Sequence, residues 1–197
     1  EGAGTVPTGE DHLVVRAARL ALAYLDAPQV GLELHCANAI THGRGLGSSA
    51  AAAVAGILVV RGLLGGAGGA SDVLSDAEVL ALACELEGHP DNAAPAIHGG
   101  AVISWLDHEG AHSVPLTVDP ALRPMLLVPR AVLLTSQARA ALPRLVPHAD
   151  AAFNLSRAAL LTVALASRPD LLPAATEDRL HQGYRASSMP ASMLSRP

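Results

Sequence analysis

The stretch ITHGRGLGSSAAAAVAGILVV, residues 40–60, places Gly43, Gly45, Gly47, Ser48 and Ser49 directly before an apolar run. The run is a good helix former, and the residues ahead of it are unusually flexible. A helix start leaves its first N–H groups unpaired and carries roughly half a positive charge. Glycine lets the backbone fold closely around an anion without side-chain clashes. The stretch therefore reads as an anion-binding loop that opens a mostly buried helix from Ser48 to Leu64, with Gly65 to Gly69 ending it. Two hydroxyls at a helix start can serve an anion and its metal ion together. A plain strand-to-helix turn is the alternative reading of the glycines.

Two other motifs overlap common patterns and fail on context. GLGSSA satisfies the relaxed dinucleotide fingerprint G-x-G-x-x-A. That fingerprint needs a second strand ending in an acid about 20 residues later, and here a loop and another helix follow. HEGAH, His108 to His112, matches the zinc-protease pattern H-E-x-x-H. Zinc ligation of that kind needs both histidines on one helix face, whereas Asp107 and Gly110 are turn formers between two strand-like runs.

Outward from the loop, DHLVVRAARLALAYL (11–25) has Leu13, Ala17, Leu20 and Tyr24 at helical spacing, and VGLELHC (30–36) alternates like a strand. SDAEVLALACELEG (75–88) opens with Ser75 and Glu78 in capping-box spacing and closes on glycine. GGAVISWLDHEGAHSVPLTV (99–118) reads as a hairpin turning at Asp107 to Gly110. At Asp119-Pro120 the pattern changes: RPMLLVPR begins a new apolar strand, then helices follow around 135–142 and 149–167. A domain boundary is expected near residue 119, giving domains over 1–118 and 119–197. The start lacks a leading strand and the end closes no element, so the chain reads as a piece of something longer.

Composition narrows the chemistry. The 197 residues can bury roughly 70% of their unfolded surface without staples. No apolar stretch reaches the ~20 residues of a membrane span, and EGAGTVPTGEDH (1–12) lacks the basic-then-apolar build of a signal peptide. Two cysteines, Cys36 and Cys84, lack metal spacing and make no disulfide framework, which points to a reducing cytoplasm. A net charge of −5 and four aromatic residues speak against nucleic acid as a partner. All 13 basic residues are arginine. Without lysine, a Walker A loop, a pyridoxal Schiff base and a protein-kinase strand lysine are all excluded.

Two further clusters carry polar chemistry. In ELEGHPDNAAPAIHGG (85–100), Glu87, Asp91 and Asn92 stand where a helix gives way to a loop rich in Pro and Gly. Carboxylates at a helix C-terminus oppose its dipole, so the arrangement suits a cation such as Mg²⁺; an incidentally polar turn is the alternative. EDRLHQGYRASSMP (177–190) holds Arg179 and Arg185, which suit an anionic substrate group or simple surface charge.

Together these stretches resemble a known family. HGRGLGSSAAA is similar to the phosphate-binding motif P-x-x-x-G-L-G-S-S-A of the GHMP small-molecule kinases. Within that superfamily, ELEGHPDNAAPAIHGG, SQARAALP and DRLHQGYRASSMP, in this order, resemble the homoserine kinases. The likeness runs through most of residues 1–194. Thr41 stands where the motif has proline, and the Glu87–Asp91 spacing is shorter than in many relatives. The family's N-terminal strand motif and C-terminal Gly-rich motif are not in the sequence.

The resemblance implies an α+β fold of two domains. The N-terminal α/β domain would carry the Gly/Ser loop before a buried helix, and the C-terminal α+β domain would be incomplete. It implies Mg-ATP phosphorylation of the L-homoserine hydroxyl in threonine biosynthesis. Gly43, Arg44, Gly45, Leu46, Gly47, Ser48, Ser49 and Ala50 would wrap the ATP phosphates. Ser49 and Glu87 would hold Mg²⁺. Asp91 and Asn92 would be catalytic and contact homoserine near its hydroxyl, with Asp91 either accepting the proton or orienting the hydroxyl. Arg139 and Arg185 would clamp the substrate carboxylate. L-homoserine is the expected partner, with neither nucleic acid nor membrane, and a homodimer is the assembly the resemblance allows. Rival readings are a mevalonate- or sugar-type kinase of the same superfamily and a non-catalytic nucleotide-binding module.

Overall fold

The structure is a computed structural model that describes residues 4, 6–65, 72–128 and 135–188. The expected helix stop over Gly66 to Gly69, the end of the RPMLLVPR run and the last residues of the 177–190 cluster lie outside them. The chain divides into two compact units, one of Glu1–His42 with Leu46–Pro115 and one of Gly43–Gly45 with Leu116–Pro197.

The first unit is built on three helices, α1 (Leu13–Tyr24), α2 (Ser48–Leu64) and α3 (Asp76–Glu87). A short helix α4 (Ala93–His98) and a hairpin of β1 (Ala101–Asp107) and β2 (Gly110–Leu116) follow. The core between the helices is rich in alanine. Ala17, Ala18 and Ala21 of α1, Ala53 and Ile57 of α2, and Val79 and Ala83 of α3 are fully buried. Small side chains bring α1 and α2 close. A Cβ placed on Gly56 would strike the Val14 carbonyl oxygen and approach the Ala17 Cβ to 2.7 Å. Of the expected stripe on α1, Ala17 is in the core and Leu13 and Leu20 pack against it, and only Tyr24 departs. Val14, Ala17, Ala18, Ala21 and Leu22 face the core, whereas Tyr24 is 54% exposed and gives its hydroxyl to Glu78 at 3.0 Å.

α3 starts and stops as its sequence dictates. The Ser75 hydroxyl accepts from the Glu78 N–H, and the Glu78 carboxylate accepts from the Ser75 N–H at 2.7 Å. Gly88 ends the helix at φ 78°, a left-handed conformation costly for other residues. The Pro- and Gly-rich loop expected after α3 contains α4, because Ala93 and Ala94 bury against the core and pull that segment into a helical turn.

Two expected strands do not form among the described residues. Residues 30–36 keep their alternation, with Leu32 and Leu34 half-buried between exposed Glu33 and His35, but no strand pairs with them among the described residues. Alternation alone supplies no ladder. Residues 123–128 of the RPMLLVPR run are likewise irregular, with Met125 87% exposed.

The second unit, among the described residues, is helix and irregular chain: α5 (Thr135–Ala140), α6 (His148–Ala166), α7 (Leu172–Ala175) and α8 (Gln182–Arg185). Among the described residues, α6 alone has the length and apolar content of a membrane span. Asp150, Asn154 and Arg157 interrupt it, and each bonds to the 177–179 segment.

Candidate active site

The start of α2 carries the donors an anion needs. Gly47 occupies the N-cap position at φ 71°, so no side chain caps the helix. The N–H groups of the first turn therefore point outward from a terminus with a positive dipole end. Gly43 and Gly45 are also left-handed, at φ 64° and 71°. That positive φ is a backbone conformation that glycine adopts without strain.

The two serines have different surroundings. Ser48 is buried, and its hydroxyl oxygen accepts from Asn38 Nδ2 at 3.0 Å. The same amide reaches the Ile40 carbonyl and the His42 ring, tying the chain ahead of the loop to the helix start. Ser49 is exposed and donates its Oγ–H to Glu87 Oε2 at 2.9 Å. Thirty-eight positions apart in sequence, this hydroxyl and carboxylate meet at the junction of α2 and α3. Both are hard oxygen donors, and such a pair fits Mg²⁺ rather than a soft metal.

Asp91 and Asn92 stand in the same neighbourhood. Asn92 lies against Gly47, whose ideal Cβ would sit 3.5 Å from Asn92 Oδ1. His89 Nδ1 is 2.5 Å from an Asp91 carboxylate oxygen, with the carboxylate largely exposed and the imidazole largely buried. The charges of Asp91 and Glu87 also reach Cys84. Burial chiefly, and then the fields of these two acids, push its thiol above the usual range. The C-terminal end of α3 is thus a concentration of negative charge at the wrong end of a helix dipole, and a cation relieves it.

The two candidate arginines belong to the second unit. Arg185, on α8, is half-buried and donates its Nε–H to the Ala138 carbonyl at 3.1 Å. Ala138 precedes Arg139 on α5, and Arg139 is exposed. The structure thus brings the segments bearing Arg139 and Arg185 together across 46 positions of sequence. Arg179 is engaged elsewhere: it pairs with Asp150 at 3.4 Å and lies 3.8 Å over the Phe153 ring. A cavity of about 600 Å³ in this unit is bordered by Phe153, Thr176, Arg179 and Gln182, with neither Arg139 nor Arg185 among its lining residues.

HEGAH behaves as a turn. His108 and Glu109 join β1 to β2, and Asp107 accepts from the Glu109 N–H, from Trp105 Nε1 and from His112. His112 stacks on Trp105 at 5.1 Å, so its ring serves the hairpin. Asn38 and Asp178 are the polar residues that the motif reading passed over. Neither sits in a recognisable spacing: Asn38 bonds equally to backbone and side-chain groups, and Asp178 chiefly to backbone N–H groups.

Residues 12–100 match the family described as GHMP kinases N terminal domain, and over that segment the chain is similar to the GHMP kinases. It is similar to homoserine kinases in particular. The homoserine kinase of Mycolicibacterium paratuberculosis is 51% identical over 196 residues, covering 98% of this chain and 62% of that protein. That of Mycobacterium tuberculosis is 52% identical over 196 residues, covering 98% of this chain and 61% of that one. The crystal structure of homoserine kinase from Cytophaga hutchinsonii superposes with a TM-score of 0.78 at 26% identity, over 94% of this chain and 59% of that one. The chain therefore spans about three fifths of the length of the curated relatives it matches.

Proposed function

We propose that the chain provides the ATP- and substrate-binding part of a homoserine kinase, which moves the γ-phosphoryl group of ATP onto the hydroxyl of L-homoserine. The product is O-phospho-L-homoserine, in threonine biosynthesis, and the setting is the cytoplasm. The observation that carries this reading is the Ser49–Glu87 pair at the uncapped start of α2, beside Gly47 and Asn92. We also take the domain boundary near residue 119, supported by the division of contacts between Pro115 and Leu116.

Phosphoryl transfer asks for positioning and charge neutralisation more than covalent help. The backbone from Gly43 to Ala50 holds the phosphate oxygens. The Ser49 hydroxyl and the Glu87 carboxylate supply oxygen ligands for Mg²⁺, which when bound offsets the charge that builds on the transferred group. Asp91 orients the homoserine hydroxyl for in-line attack, held in place by His89. An ordinary carboxylate is a weak base for an alcohol, so orientation is its main contribution. Asn92, against Gly47, sets the distance between the hydroxyl and the phosphate loop. Arg139 and Arg185 grip the substrate carboxylate, which takes no part in the reaction. The similarity to homoserine kinases supports this choice of alcohol, as does the pairing of two arginine segments for a planar anion.

A coupled ADP-release assay on the full chain with L-homoserine, mevalonate and galactose tests the proposal. Release with homoserine alone is expected. Release with mevalonate or galactose instead, or with none of the three, contradicts it.

A further inference from the structure

We infer that Asp178 is a positioning residue for substrate recognition: its carboxylate gathers the backbone before α8 and so fixes where the guanidinium of Arg185 stands. The inference rests on the reading that Arg185 holds the substrate carboxylate.

Asp178 is only 11% exposed at its side chain, yet five donors converge on it. Oδ1 accepts from Asn154 Nδ2 at 2.7 Å, His181 Nδ1 at 2.9 Å and the Leu180 N–H at 3.3 Å. Oδ2 accepts from the His181 and Gln182 N–H groups at 2.8 and 2.6 Å. Asn154, on α6, completes the clamp by accepting the Arg179 N–H at 2.9 Å. Residues 178–182 are therefore pinned to a 19-residue helix through two side chains. α8 grows directly from that anchor, with the Arg185 N–H bonded to the His181 carbonyl at 3.0 Å. A four-residue helix has no stability of its own. What holds it is the carboxylate at its start and the Arg185–Ala138 bond at its end.

An anionic oxygen is needed here. Ionised carboxylates accept several hydrogen bonds and donate none, which suits five converging donors. Asparagine at 178 would turn an amide N–H₂ toward N–H groups and release part of the turn. The guanidinium would then sample several positions, and the substrate would have to order it on binding. That cost falls on affinity and spares the chemical step, because the carboxylate contact is made equally in ground and transition states.

The test is Asp178→Asn in the full chain, read by steady-state kinetics and by amide hydrogen exchange. The homoserine KM should rise about tenfold or more with kcat within about threefold and the ATP KM steady, the pattern of lost uniform binding. Exchange should accelerate at residues 180–185 and stay unchanged in α3. An unchanged homoserine KM, or a kcat that falls together with both KM values, overturns the inference, the latter marking a merely structural residue. Should Asp178→Asn fail to fold, Asn154→Ala removes one donor and the Arg179 acceptor, and a homoserine KM raised about threefold or more is expected; no rise overturns the inference. If the wild-type chain releases no ADP with homoserine, the functional reading fails on its own. Exchange then decides the positioning role, with acceleration at 180–185 supporting it and none overturning it.

Discussion

Arg185 commits its Nε–H to a backbone carbonyl, so a carboxylate must be met by the outer Nη edge of the guanidinium. Lysine cannot reproduce this. Its single ammonium could bond the Ala138 carbonyl or the substrate, and it lacks the planar fork. Arg185→Lys should raise the homoserine KM about ten- to a hundredfold, the ~1.5–3 kcal/mol of a charged hydrogen bond, with kcat nearly unchanged. Initial-rate kinetics with each substrate varied in turn checks this; a raised ATP KM in place of the homoserine KM would move the arginine to the phosphates. At this scale, legibility followed the chemistry. Glu87 stood out in the sequence because an acid at a helix end opposes the dipole, while its pairing with Ser49 came from the family resemblance. Asp178 did not, since its role lies in backbone N–H groups that every sequence supplies.

At the scale of elements, the end signals were the most legible. Ser75 with Glu78 and Gly88 delimited α3, and both halves of the capping box are present. Ser75→Ala removes the acceptor for the Glu78 N–H and should cost about 1 kcal/mol, seen as a lower denaturant midpoint with an unchanged slope. An unaltered midpoint would mean that Tyr24 and Asp76, which bond Glu78 and Arg61, hold the helix start without the cap. Gly56 shows the opposite case. A glycine inside a helix looks like a weak point, and alanine there should gain about 1 kcal/mol of propensity. The proximity of Val14 and Ala17 reverses the sign. Gly56→Ala should be destabilised by a net ~1–3 kcal/mol, because α1 and α2 must separate to admit the methyl group. Calorimetric melting decides it, and a raised Tm would contradict the packing. That approach was invisible in the apolar spacing of α1, which picked Leu13, Ala17 and Leu20 on the core side, added the exposed Tyr24, and missed Val14, Ala18, Ala21 and Leu22. The same limit applies to residues 30–36, where alternation showed which side chains turn inward but not whether a partner strand lies alongside.

Across the whole molecule, α1, α2, α3 and the hairpin of the first unit were readable from their own glycines, prolines or caps, whereas α4 and the unpaired 30–36 segment were not. The second unit was less readable. Its helices carry few buried side chains, with Ala164 alone fully buried on α6, so periodicity there has little core to report. The central claim joins elements far apart in the chain: the start of α2 and the end of α3 form one site for phosphate and Mg²⁺. Titration calorimetry of ATP binding, with and without Mg²⁺, tests it in wild type and in Glu87→Gln. That substitution keeps size and hydrogen bonding but removes the charge a hard cation requires. Wild type should bind ATP more tightly when Mg²⁺ is present. Glu87→Gln should lose most of that gain while its affinity for metal-free ATP stays within about twofold, since the N–H groups of α2 are untouched. An undiminished Mg²⁺ gain in Glu87→Gln would contradict the claim and remove Glu87 from the site.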